Sequence, residues 1–482
     1  MQLADPVILT IIGITGDLSR RYLLPSLYHL ELDNLLPDDF MILGTSRRDL
    51  DKDEFKQKIR DSVQSKEQHY QEEVLDRLMD RLQIAQVDTS NPDHYQQLAD
   101  ILHQMESRAE RCTEHVFYLA VPPEALANVV DLIGHSEVQK CSHGANGRLL
   151  IEKPFGRDKA TAEELSNILS RHFKEEQIYR IDHYLAKETA QNILHFRFKN
   201  PLVADIWNSK FIDHIQITAA ESINIEGRRD FYEQTGAVRD FAQSHLLQLL
   251  ALVTMDRPAE LDAQHVRASR EKLLAQIKPI DNHPDQVVRG QYNGYREEAD
   301  KPDSNIETFV AMKVEIDSDR WRGVPIYLRT GKAMEKRITE INLVYQDEKD
   351  PDEPPNVLTI RIQPREGIGL TLQAKKPGLD TVRQNVVLEY CYRNEKETVI
   401  HNAYERLLID AMRGDQMLFP TTQEVLTSWE IVDPLLKAWS QSSDGLTTYA
   451  QGSWGPEEAN LLISHDSHLG WLTQGDKICI DK

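Results

Sequence analysis

The sequence predicts an α/β protein in two parts: a doubly wound N-terminal domain over residues 1–180, then a larger α+β domain with a mainly antiparallel sheet over residues 181–482. Three observations predict it. The chain of 482 residues is too long for one compact core, since domains hold roughly 100–200 residues each. Its first third alternates short apolar, β-branched runs with helical stretches, as βαβ units of a parallel sheet do. Beyond about residue 181 several runs alternate polar and apolar side chains, the pattern of half-buried antiparallel strands.

Taken in order, residues 7–13 form an apolar β-branched run suited to a buried parallel strand. Residues 19–32 place leucines and tyrosines at helical spacing, residues 40–44 read as a second strand, and residues 53–82 as long polar helices. Residues 115–121 and 148–152 read as further buried strands. In the second part, strands are expected at 215–220, 307–316, 325–329, 341–345, 358–363 and 386–392, with the acidic, proline-rich stretch 346–356 as an exposed hairpin loop.

Bulk composition narrows the function. Hydrophobic residues make up 40% and charged residues 28%, ordinary values for a soluble globular chain. A formal net charge of −22 argues against nucleic acid or an anionic membrane as partner. Any anionic ligand then needs a local basic cleft. No secretory leader is expected, because residues 1–6 lack a basic region and the apolar run 7–14 is far short of the roughly 20 residues that span a bilayer. The four cysteines, Cys112, Cys141, Cys391 and Cys479, show no metal-ligand spacing. They fit a reduced, cytoplasmic setting with no structural metal.

The first strand ends in Gly13-Ile-Thr15-Gly16-Asp17-Leu18, ahead of a helix. Glycine at such a turn lets the backbone approach a pyrophosphate at the helix N-terminus, although an ordinary tight turn has the same letters. The second strand ends in Arg47-Arg48, where NAD-binding chains usually carry an acidic residue for the ribose. Guanidinium groups there favour the additional phosphate of NADP, the alternative being a solvated basic loop.

Two further segments carry candidate chemistry. In Arg180-Ile-Asp182-His183-Tyr184-Leu-Ala-Lys187 a helix starting near Asp182 would put His183 and Lys187 at i and i+4, a phosphate site or an ordinary charged face. In the segment 236–250, His245 precedes a strongly apolar helical run, as a general base or as a core histidine.

Gly13-x-x-Gly16-Asp-Leu, Phe117-Tyr-Leu-Ala-Val-Pro-Pro123, Glu152-Lys153-Pro154-Phe-Gly156 and Arg180-Ile-Asp-His-Tyr-Leu follow one another. Arg239-Asp240-x-x-Gln-x-His245, Tyr327-Leu-Arg-Thr-Gly-Lys332, Ala403-Tyr-Glu-Arg-Leu-Leu408 and Trp454-Gly-Pro456 complete the series. This ordered set resembles the signatures of the glucose-6-phosphate dehydrogenase family over nearly the whole chain.

The resemblance implies a Rossmann-like first domain and oxidation of glucose 6-phosphate at C1, with hydride transfer to NADP and no metal. It implies His245 as catalytic base and Asp182 as its partner carboxylate. An imidazole titrates near neutrality, and an adjacent carboxylate fixes its tautomer and stabilises the imidazolium. It assigns His183, Tyr184 and Lys187 to the substrate phosphate, and Lys153 to a place between coenzyme and sugar, with a cis bond possible at Pro154. Glu221, Asp240, Lys332 and Lys336 match groups that bind the sugar or its phosphate. Gly13, Thr15, Gly16, Asp17 and Leu18 match the coenzyme turn, and Arg47, beside Arg48, the 2′-phosphate ligand. A homodimer or homotetramer is implied as well.

The chain departs from the family pattern at Ala186, where glycine is usual, at Ser244, where asparagine is usual, and at Pro420-Thr-Thr422. Two other readings share these features. A related aldose or polyol dehydrogenase would have no use for the phosphate residues, and a non-catalytic NADP-binding scaffold would have no reason to keep both Asp182 and His245.

Overall fold

A computed structural model describes residues 6–65, 70–109, 113–139, 147–346, 355–392, 400–466, 468, 470–473 and 478–479. The chain packs into two compact units, one of residues 1–156, 160–186 and 401–422, the other of residues 157–159, 187–400 and 423–482.

The first unit is built on a parallel sheet of β1 (Val7–Ile12), β2 (Phe40–Ser46), β3 (Leu82–Gln86), β4 (Glu114–Leu119), β5 (Arg148–Ile151) and β6 (Ile178–Arg180). Their order, β3-β2-β1-β4-β5-β6, is that of a doubly wound dinucleotide-binding sheet. Every residue of β1 is buried, as a central strand covered on both faces requires. The order reverses between β1 and β4, so the crevice of this sheet opens at their carboxyl ends. The flanking helices follow local rules. In Lys52–Gln64 the Asp51 carboxylate caps the Glu54 N–H at 2.8 Å, and Phe55, Ile59 and Val63 are buried one turn apart.

The second unit holds a mixed sheet of β7 (Ile212–Ala220), β8 (Val287–Tyr292), β9 (Phe309–Val314), β10 (Ile326–Gly331), β11 (Ile338–Tyr345), β12 (Val357–Gln363), β13 (Gly367–Lys375), β14 (Arg383–Cys391) and β15 (Leu446–Tyr449). The order is β14-β13-β12-β11-β7-β10-β9-β8-β15, and only β7–β10 and β8–β15 run parallel. Every residue of the helix Leu247–Thr254 is buried.

Several expectations need correction. The helices expected in 53–82 are Lys52–Gln64 and Glu72–Asp80, but the last residue of the stretch opens β3. Five strands, β3, β6, β8, β13 and β15, go beyond those expected. The helix placed near Asp182 begins at Glu188, with Lys187 as its N-cap. The Asp182 carboxylate accepts the Tyr184 N–H at 2.9 Å, a local turn that competes with helix at this point. Cys391 and Cys479, 88 residues apart, form a disulfide. A pairing of that span leaves no trace in spacing. Cys112, Cys141 and loop residues 347–354 lie outside the described residues.

Candidate active site

The candidate residues fall in both units. In the first, β1 runs into Gly13, whose φ of +94° is a conformation that side chains other than glycine rarely adopt. A Cβ there would stand 2.6 Å from the Ala120 carbonyl oxygen at the end of β4. The turn is held by the Gly13 N–H donating to Thr45 Oγ1 at 3.2 Å, by Ser19 Oγ donating to the Gly13 carbonyl at 3.1 Å, and by the Gly16 N–H donating to the same carbonyl at 3.0 Å. Leu18 leads into the wide turns of Ser19–Leu23. Thr15 and Asp17 are exposed, and Asp17 accepts from Arg21 Nε at 2.9 Å. A glycine that brings bare backbone to the switch point of the sheet fits a dinucleotide pyrophosphate. Arg47 and Arg48 are exposed just past β2, where Arg47 offers its carbonyl to Gln86 and the Arg48 N–H donates to Ser46 Oγ at 3.2 Å.

Past the end of β5, the Glu152 carboxylate takes hydrogen bonds from the hydroxyls of Tyr118 and Tyr404. Lys153 follows, and the Lys153–Pro154 peptide is cis. After β6 the chain places Asp182, His183 and Tyr184 in one tight turn, with the His183 and Tyr184 rings 4.9 Å apart. Arg180 is a structural member of its motif. It is buried and bonds to Glu175 at 2.9 Å and to Thr422 Oγ1, which in turn donates to Glu175 Oε2 at 2.7 Å. The departure at Pro420-Thr-Thr422 thus closes a buried network within this unit. Ala186 is buried and outside the positive-φ region, so its side chain meets no backbone strain.

In the second unit the structure brings Glu221, Asp240 and Lys332 together. The Lys332 ammonium, only 3% exposed, donates to Glu221 Oε2, lies 3.8 Å from Asp240 Oδ2, and sits 5.6 Å from the centre of the Tyr232 ring. Its carbonyl accepts from Tyr449 Oη at 2.8 Å. Two carboxylates around one buried cation leave the cluster acceptor-rich, suited to a molecule with several hydroxyls. Burial and the nearby carboxylates push the Tyr232 phenol far up, so it stays a donor. Lys336 lies four residues beyond, 4.0 Å from Glu335.

His245 is buried with its ring edge-on to Phe241 at 5.0 Å. It belongs to the segment Val238–Leu246, whose π-type winding stacks Asp240 and His245 one i→i+5 step apart, where a regular α-helix would turn them away from each other. The start of that segment is fixed by Glu307. Its carboxylate accepts the Val238 N–H at 3.0 Å, and a Cβ at Gly236, φ +63°, would collide with it. The Ser244 hydroxyl is buried without a hydrogen-bond partner among the described residues. Lys187, also in this unit, is half-buried at the N-cap of Glu188–Lys199.

Sequence reasoning missed Glu307 and Tyr232 as site residues, and quoted Tyr118, Glu152 and Tyr404 only as letters of motifs. No local pattern distinguishes such supporting residues, because their partners lie tens to hundreds of positions away. Gly236, in the quoted segment, was the one available pointer to strain.

Family models match almost the entire chain, as "glucose-6-phosphate dehydrogenase, NAD binding domain" over residues 10–192 and "glucose-6-phosphate dehydrogenase, C-terminal domain" over residues 194–471. The chain is 38% identical to a glucose-6-phosphate 1-dehydrogenase of Chlamydia muridarum, across 96% of each. It is also 38% identical to one of Rhizobium meliloti, across 96% of this chain and 97% of the relative. A solved structure of glucose-6-phosphate dehydrogenase in complex with its substrate glucose-6-phosphate aligns with a TM-score of 0.90 at 31% identity, covering 98% of this chain and 99% of that one.

Proposed function

The chain belongs to the glucose-6-phosphate dehydrogenase family, and from that premise we propose that it oxidises glucose 6-phosphate at C1 to the 6-phosphogluconolactone. The observation that carries the reading is the cluster of Glu221 and Asp240 around the buried Lys332 ammonium, with Asp240 and His245 on one short π-wound segment. A polyol-binding group and a base are thereby fixed by the same piece of backbone. The Gly13 turn would seat NADP, with Arg47 at its 2′-phosphate, and the bound coenzyme would supply the hydride acceptor.

His245 takes the proton of the C1 hydroxyl, and Asp182 is the carboxylate that holds the imidazole tautomer and stabilises the imidazolium. Loss of that proton drives electron density onto C1, which releases its hydride. Glu221, Asp240 and Lys332 bind the sugar hydroxyls, and His183, Tyr184, Lys187 and Lys336 the phosphate. Lys153 lies between coenzyme and sugar. The enzyme works in the cytoplasm as a homodimer or homotetramer. Val382, Leu388 and Tyr390, each about half-exposed on or beside the outermost strand β14, support assembly through that edge. No helix among the described residues is long and apolar enough to cross a membrane.

Glucose 6-phosphate deuterated at C1 tests the reading. Deuterium should arrive at C4 of the reduced coenzyme with a slowed turnover. Reduced coenzyme free of deuterium would overturn the proposed chemistry.

A further inference from the structure

Two motifs of the sequence have so far been given no part in the chemistry: the glutamate of Glu152-Lys-Pro and the segment Ala403-Tyr-Glu-Arg-Leu-Leu408. The first unit joins them. Glu152 stands just past the carboxyl end of β5, the end at which doubly wound sheets bind their ligands. Tyr118 comes from β4, where it pairs with Leu150 in register, and its hydroxyl reaches the Glu152 carboxylate. Tyr404 comes from the first turn of the helix Ala403–Arg413, and its hydroxyl bonds to the same carboxylate. That helix start is itself held by a capping box between Asn402 and Glu405 and by stacking of Tyr404 on Tyr22 at 5.2 Å.

We propose that Glu152, clamped between the hydroxyls of Tyr118 and Tyr404, is a positioning residue for Lys153, holding the ammonium of its sequence neighbour in place and supplying its counter-charge. The proposal rests on the reading that Lys153 lies between coenzyme and sugar. A desolvated carboxylate is a costly way to join two strands and a helix, since an apolar side chain would serve packing better. Two phenols and a lysine around it give the charge a use. The groups that face the carboxylate are Lys153, Tyr118 and Tyr404, with Tyr22 and His183 behind Tyr404, the His183 ring 6.5 Å from it.

Desolvation raises the Glu152 pKa to about 7, against the lowering effects of Tyr118, Lys153 and Tyr404. Burial pushes both phenols well up, so they remain donors across the working range. The sign follows. As pH falls through about 7 Glu152 takes a proton, Lys153 loses its counter-charge, and turnover drops.

The test is the pH profile of kcat for the full-length enzyme and for Glu152→Gln, Tyr118→Phe and Tyr404→Phe. Glu152→Gln should lower kcat by about 10-fold and remove the contribution of Glu152 to the acid limb near neutrality. Each Tyr→Phe change removes a bond that favours the charged carboxylate, so each should move that limb to higher pH. Identical profiles with only altered melting temperatures would overturn the proposal and leave the triad a structural clamp. Lys153→Met, alone and combined with Glu152→Gln, separates the two levels. If Lys153→Met costs nothing, the reading of Lys153 fails and the proposal with it. If Lys153→Met is harmful and Glu152→Gln adds its full effect on top, the positioning role alone fails. Sub-additive losses support both.

Discussion

His245 and Lys187 carry the predictions that belong to single residues. His245 is buried against Phe241 and packed at the head of an apolar helix, so a smaller, non-basic polar side chain in its place removes the base. His245→Asn is expected to lower kcat by at least about 10³-fold, the upper range for a lost general base, with KM for the sugar phosphate little changed. Near-normal turnover in a steady-state assay would remove His245 from the role of base. Lys187 sits at a helix N-cap and makes no side-chain capping bond there, and the proposed function gives its ammonium to the substrate phosphate. Lys187→Ala should raise KM for glucose 6-phosphate about 10–100-fold, as loss of a charge-assisted phosphate contact does, and leave the slow oxidation of free glucose untouched. Equal losses on both sugars would reassign Lys187 to the coenzyme or to the fold. The roles of the residues that act through others, Glu307 beneath Val238 and Tyr404 beside Glu152, were not legible in the sequence, where Tyr404 was only a letter of its motif. Their partners are 69 and roughly 250 positions away, and only folding brings them together.

At the scale of elements, the turn after β1 leaves little freedom at Gly13. Gly13→Ala must place a Cβ against the Ala120 carbonyl at positive φ, at a cost of about 1–3 kcal/mol in strain, plus the lost approach to the pyrophosphate. The expected outcome is a KM for NADP raised at least about 10-fold, with a lowered melting temperature; unchanged NADP affinity by titration would show that this turn does not hold the coenzyme. The glycines of this turn, the apolar run of β1 and the arginines after β2 were legible because each is a local signal: a turn, a buried strand, a charge. Strands β3 and β6 were not, being short pieces at the ends of longer polar stretches. The helix expected at Asp182 gave way to a turn because the carboxylate two residues back offers Tyr184 a competing hydrogen bond. In that case the side chain mattered more than the helical spacing of its neighbours.

For the whole molecule, the doubly wound sheet was legible in the alternation of strands and helices, and the mostly antiparallel second sheet in the alternation of polar and apolar side chains. Tertiary pairings stayed hidden, above all the disulfide between Cys391 at the end of β14 and Cys479. The C-terminal segment that carries Cys479 is also pinned by the Arg361 guanidinium, which donates to the Ile478 carbonyl at 3.1 Å. Thiol titration of the chain purified without reductant and unfolded in denaturant should find two reactive cysteines of the four. Four would mean that the pair is reduced in the isolated protein. A closed loop of this span limits the unfolded chain, so reduction should lower the melting temperature by several degrees. The central claim, that the chain oxidises glucose 6-phosphate with NADP, is tested most directly by following NADPH absorbance in the near ultraviolet. Glucose 6-phosphate is supplied with NADP, and free glucose or NAD is substituted in parallel. Rapid reduction of NADP that depends on the phosphate is the predicted result. No reduction with glucose 6-phosphate, or equal rates with free glucose, would contradict it.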